Sequence, residues 1–175
     1  TVVGRDNVGI LAGQITTSVF DNTTGDGWDM VQDCKTSGLV SGANNIGGLI
    51  GYASGPLLAG WGISQPNQID YSGYAVAYWG NGKIAGCFSD ADIYASGNNA
   101  GGLVGYLKEI TIAESSAAGD VTGGNVCGGL AGQILRGYIY KSWAVGNVSG
   151  ILIAGGLAGT IEYRTVIRKA YAEGN

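Results

Sequence analysis

Apolar and small residues return along this chain at a fixed spacing. The pattern Gly-Gly-Leu-hydrophobic-Gly stands at Gly47 (GGLIG), Gly101 (GGLVG), Gly128 and Gly155 (both GGLAG), and a looser copy, VGILAG, begins at Val8. Anchored on leucine, the copies fall at Leu11, Leu49, Leu103, Leu130 and Leu157, in steps of 38, 54, 27 and 27 residues. The basic unit is therefore 27 residues, and two units carry extra material. A second apolar column keeps the register: Val31, Ile84, Ile112, Ile139 and Ile167. Small residues follow it, first Cys34, Cys87, Ser115, Ser142 and Ala170, then Thr36, Ser89, Ala117, Ala144 and Ala172. Between them stand Lys35, Phe88, Ser116, Trp143 and Tyr171. Small residues inside and bulky ones outside, at period two, predict a half-buried strand.

A turn follows in each unit, as in SGLVSG from Ser37 and AGDVTGG from Ala118, with Val40, Val121 and Val148 marking a second short strand. The Leu of the motif and its apolar neighbour supply a third. With no helical periodicity, the chain reads as all-β: a parallel β-solenoid (β-helix) of about five 27-residue coils of three short strands. In such a coil equivalent residues stack about 4.8 Å apart. Leu, Ile and Val columns fill the core, Gly columns allow corners, and Asp6, Asn44, Asn98 and Asn125 read as a ladder of Asx turns. Pro56 and Pro66 fall outside the coils, consistent with their exclusion from paired strands.

The irregular steps locate two insertions, of 11 and 26 residues, between the motif Leu and the next Ile column of neighbouring coils. They span about residues 18–28 and 54–79 and leave one corner side by side. The first holds Phe20 and Trp28; the second holds both prolines, Trp61, Tyr71 and Tyr74. Insertions on one face of a repeat protein are where binding concentrates.

Composition sharpens this picture. Gly is 34 of 175 residues and Pro only 2, which excludes collagen-like and Pro-rich disordered chains. Thirteen acidic against nine basic residues, with no basic cluster, give no nucleic-acid footprint. The absence of His removes Ser-His-Asp, Cys-His and HExxH chemistry. No apolar run is long enough to span a membrane, so no direct membrane insertion is expected. Because Thr1 and Asn175 both fall inside repeats, residues 1–175 read as one solenoid segment of a longer repeat protein. Its open terminal coils lead to an expectation of end-to-end self-association.

The repeats resemble the GLUG-motif family, named for a G-L-hydrophobic-G pattern. GGLVG, GGLIG and the two GGLAG copies carry the likeness, with KSWAVGNVSG from Lys141 and KAYAEGN from Lys169; Ile10 replaces one Gly in the first copy. The resemblance implies a secreted or surface-attached bacterial protein, adhesin-like or a stalk, and supplies no catalytic residues.

Three other constellations bear on chemistry. Asp92 and Asp120 share a turn column continued by Asn147 and Asn175, with Asp90 nearby. Stacked carboxylates could share a proton or a Ca²⁺, but Asn in the same column favours an Asx ladder. The stretch Asp21 to Asp29, DNTTGDGWD, has the flavour of a calcium loop but lacks EF-hand spacing. Cys34 and Cys87 share a column, Cys127 sits in another among Ala100 and Ala154, and all three read as small buried thiols.

The expected function is a non-catalytic structural and binding module that needs no cofactor or metal. It would meet a host or environmental glycan or protein ligand through Phe20, Trp28, Trp61 and Tyr71, beside flanking domains of its own chain. The alternatives are a pure stalk or spacer and, less favoured, a polysaccharide-degrading β-helix enzyme using Asp90, Asp92 and Asp120.

Overall fold

The computed structural model describes residues 1–16, 29–55, 82–163 and 165–174. Regular structure among them is entirely β, in short strands paired parallel from coil to coil. The third coil illustrates the path: Ala100–Gly101, Val104–Lys108, Thr111–Ala113, Ser116–Ala117 and Val121–Gly123. Equivalent segments stack into four sheets. Sheet I contains Asn44–Gly47, Ala100–Gly101 and Val126–Gly128; sheet II contains Ile50–Ser54, Val104–Lys108 and Ala131–Leu135. Sheet III contains Lys83–Ala85, Thr111–Ala113 and Tyr138–Tyr140; sheet IV is built on the long strands Lys35–Gly42 and Phe88–Ala95. The molecule is a parallel β-solenoid of about five coils, as the repeat predicts.

Its cross-section corrects one expectation: a coil feeds four sheets, not three strands. The stretch read as one strand through Ile112 and Ala117 turns a corner at Glu114, and the glycine-leucine motif straddles the corner between sheets I and II. The corners are left-handed residues stacked on one another. Asp33, Gly86, Glu114, Lys141 and Lys169 have φ between 45° and 61°, and Glu109, Arg136 and Tyr163 have φ of 57°, 53° and 40°. Asn7, Asn45 and Asn99 (51°, 54°, 59°) form a third such column. Asn suits it because its amide also bonds along the stack: Asn45 Nδ2 donates to Asn7 Oδ1 at 2.8 Å and Asn99 Nδ2 to Asn45 Oδ1 at 3.0 Å. The ladder expected one residue earlier is present too, through Asn44 on Asp6 (2.7 Å), the Asn98 backbone N–H on Asn44 (2.9 Å) and Asn125 on Asn98 (2.8 Å).

The core lies in two lobes. One holds Leu49, Leu103, Leu130, Ile84, Ile112 and Ile139; the other holds Val40, Ile46, Ile93 and Val121. The pinch between them explains the small-residue columns. A Cβ at Gly102 would lie 2.8 Å from Ala117 Cβ and one at Gly129 2.8 Å from Ala144 Cβ, so the second glycine of the motif abuts the opposite wall. It also abuts the next coil: the same Cβ would be 2.2 Å from Gly129 O at Gly102 and 2.1 Å from Gly156 O at Gly129. The glycines are required by close approach, and the leucines beside them are fully buried.

Candidate functional site

The irregular steps are absorbed at one place. Thr16 pairs with Ser54 at the end of sheet II, and Val31 pairs with Ile84 in sheet III, both on the first two coils. Both extra segments therefore depart from register-paired positions and return to register-paired positions on adjacent rungs. The coil continues through Gly55, whose N–H donates to Lys108 O at 2.9 Å, so Ser54 belongs to the coil. The proposed ligand contacts Phe20, Trp28, Trp61 and Tyr71 lie outside the described residues, as does most of the Asp21 to Asp29 stretch.

The acidic column is described, and its geometry is that of a turn ladder. Asp92 Oδ1 accepts the Asp120 backbone N–H at 3.1 Å, and Asp120 Oδ1 accepts that of Asn147 at 2.9 Å. Each carboxylate is aimed at the backbone of the next coil rather than at its neighbouring carboxylate. Among the described residues no cluster of three His, Cys, Asp or Glu side chains is arranged to hold a metal.

The three cysteines are free thiols, but the expectation that all are buried is corrected at Cys34, which lies on the first coil with its side chain part open. Cys87 and Cys127 are buried while Cys34 is half-buried, and burial pushes the Cys127 thiol up to about 11. Burial is also the main cause raising Cys87, partly offset by the Cys34 backbone amide and reinforced by the nearby Cys34 and Asp33 side chains.

Aromatic residues are displayed on the outside of the coils themselves. In sheet IV the column Lys35, Phe88, Ser116, Trp143, Tyr171 runs along the solenoid. Lys35 Nζ lies 5.2 Å from the Phe88 ring centre, and Trp143 and Tyr171 stack with centroids 6.0 Å apart and planes within 3°. At the neighbouring corner Tyr140 lies under Lys141 and Lys169, at 5.2 and 5.7 Å. On sheet II, Tyr52 and Tyr106 stack at 5.2 Å; burial, then Tyr52, raises the Tyr106 phenol above its ordinary value. Stacking along the axis turns ring faces toward each other and leaves edges outward.

Tyr94, half exposed, borders a shallow groove of about 530 Å³ with Arg5, Ser41 and Ser96. The groove brings together a phenol ring, a guanidinium and two hydroxyls contributed by three successive rungs. Reading the sequence for insertions passes over this groove, although the alternation of Ile93 inward and Tyr94 outward is the signal for it.

With this geometry the protein is defined as a parallel β-solenoid that displays aromatic side chains and launches two segments from adjacent rungs. No family model matches the chain, and neither a curated protein nor a solved structure matches it.

Proposed function

We propose that the chain is a non-catalytic structural and binding module of a bacterial cell-surface or secreted protein, which holds a glycan or protein ligand through aromatic side chains on its two insertions. The observation that carries this reading is the register pairing of Thr16 with Ser54 and of Val31 with Ile84, which fixes the roots of both extra segments on neighbouring rungs of a rigid frame. Two segments so rooted can present one continuous surface. The resemblance of the repeats to GLUG-motif proteins supports the surface location. The commitment of Asp92 and Asp120 to backbone N–H groups weighs against the polysaccharide-degrading alternative.

A panel of glycans and host proteins tests the proposal. Binding that disappears in Trp61→Ala and weakens in Trp28→Ala supports it, whereas no binding across broad panels favours the spacer reading. Turnover of an acidic polysaccharide by the wild-type chain refutes the non-catalytic assignment.

End-to-end association belongs to the same proposal. Ile161, in the last coil, is 54% exposed while its stacked partner Ile134 is 1% exposed, and Leu11 in the first coil is 47% exposed against 0% for Leu49. Core columns left half open beside strand edges that no described coil covers favour the stacking of a further coil, supplied by adjoining chain or by a second copy. Sedimentation of this chain across a hundredfold range of concentration should reveal concentration-dependent oligomers; a monomer throughout would remove this part of the proposal.

A further inference from the structure

We propose that Cys34 and Cys87 form a two-thiol site that closes, in an oxidising environment, into a disulfide clamping the first two coils together. The pair lies between two stretches of intact register, Gln32 with Ala85 before it and Lys35 with Phe88 after it. Backbone hydrogen bonds hold the rungs on both sides, Asp33 N–H to Ala85 O and Phe88 N–H to Cys34 O, each 2.9 Å. The two Cα atoms are therefore directly stacked across a parallel ladder, at a rise of about 4.8 Å. Disulfides take Cα separations of roughly 4.4–6.8 Å.

The sulfurs are oriented alike. The Cys34 thiol donates to Gln32 O and the Cys87 thiol to Ala85 O, each at 3.2 Å, and the Cys87 sulfur also lies 3.8 Å from Val31 O on the neighbouring rung. Higher in the same column, serine hydroxyls make the same bond: Ser115 to Ala113 O and Ser142 to Tyr140 O, both 2.8 Å. They also accept the N–H of the rung below, from Cys87 at 3.1 Å and from Ser115 at 3.2 Å. Oxygen serves this ladder better than sulfur, a weak donor and weak acceptor. What the two thiols add is the capacity to bond to each other. Cys127 lacks that option, since its stacked neighbours are Ala100 and Ala154 and its thiol is committed to the carbonyls of Gly123 and Gly124.

A low-molecular-weight disulfide such as oxidised glutathione supplies the chemistry. The half-buried Cys34, as thiolate, attacks one of its sulfurs, forming a mixed disulfide and expelling one small thiolate. The Cys87 thiolate then attacks the Cys34 sulfur and expels the second. Two protons leave the protein thiols, and two electrons reduce the small disulfide to two thiols. The bridge closes the loop that contains residues 56–81 and fixes the rungs onto which both extra segments return, at Asp29 and Lys83.

The experiment incubates the full chain with oxidised glutathione and counts thiols after denaturation. The expected result is a fall from three free thiols to one, a mass loss of about 2 Da, and a non-reduced peptide joining Cys34 to Cys87. Cys127→Ser keeps this reaction, whereas Cys34→Ser and Cys87→Ser abolish it. The double serine variant extends the hydroxyl ladder and folds, so its Tm should ignore the oxidant, while that of the wild type rises by several degrees and falls back with dithiothreitol. Retention of all three thiols, a bridge to Cys127, or cross-linking between chains that persists in Cys87→Ser would each overturn the proposal.

Discussion

Replacing Gly102 by alanine tests why the motif needs its second glycine. The φ of Gly102 is not in the left-handed region, so backbone freedom is not the reason. The added methyl would sit 2.2 Å from Gly129 O and 2.8 Å from Ala117 Cβ, and real contacts to Cβ essentially never fall below 3.0 Å. The rungs must therefore separate by close to an ångström where Gly102 N–H donates to Gly129 O (3.1 Å) and Leu103 N–H to Leu130 O (2.9 Å). Losing those two bonds costs about 1 kcal/mol each, and overpacking adds roughly 1–3 kcal/mol. Gly156 holds the same place in the motif of the last coil, where the methyl would meet only Ala172 Cβ at 3.0 Å. Gly156→Ala should change stability by no more than about 1 kcal/mol in either direction, against about 3–5 kcal/mol lost for Gly102→Ala. Urea unfolding followed by far-ultraviolet circular dichroism, at concentrations where the chain is monomeric, measures both. Equal costs at the two positions would refute the steric account of the motif.

Other consequences follow from the same geometry. Asn45→Ala should cost about 2–4 kcal/mol, from two amide hydrogen bonds and a left-handed φ, and Asn45→Gly should restore the conformational part only; urea midpoints separate the two. Arg136→Gln should cost about 2–3 kcal/mol, because Arg136 Nε donates at 2.7 Å to the buried Glu109 carboxylate and would leave it without a cation; a thermal melt reads this. Lys141, bonded at 2.9 Å, holds the Glu114 carboxyl below its ordinary value of 4.5. A depressed carboxyl contributes stability above its unfolded pKa and loses it as pH falls through the folded one, so Lys141→Met should flatten the loss of stability below about pH 4.5. With its thiol raised to about 11, Cys127 should resist alkylation in the folded chain at pH 8 while Cys34 reacts, as mass-resolved labelling would show.

Particular residues explain what the sequence made legible. The columns through Val31, Ile84, Ile112, Ile139 and Ile167 could be read because in-register stacking makes each inward position repeat its own residue type, and the pairing follows those columns rung by rung. The four-sided section could not. Its corners at Glu109, Arg136 and Tyr163, and at Glu114, Lys141 and Lys169, adopt left-handed φ with residue types that carry no turn signature. Their conformation is imposed by the ladders on either side rather than by local preference. The Asx column was legible for the complementary reason, since the amides bond one another along the stack. The outward column of Phe88, Trp143 and Tyr171 followed from period-two alternation; the same alternation turns Tyr94 outward, whereas the groove beside it depends on three coils meeting.

The most direct test of the account is to excise residues 17–28 and 56–81 and join each cut with the short turn that links sheets II and III at Glu109 and Ile110. The shortened chain should keep the β-sheet circular dichroism of the parent and unfold cooperatively, and it should lose binding to any glycan or host protein that the parent captures. Undiminished binding by the folded, shortened chain would contradict the claim that the solenoid is a frame and the two segments are its binding surface.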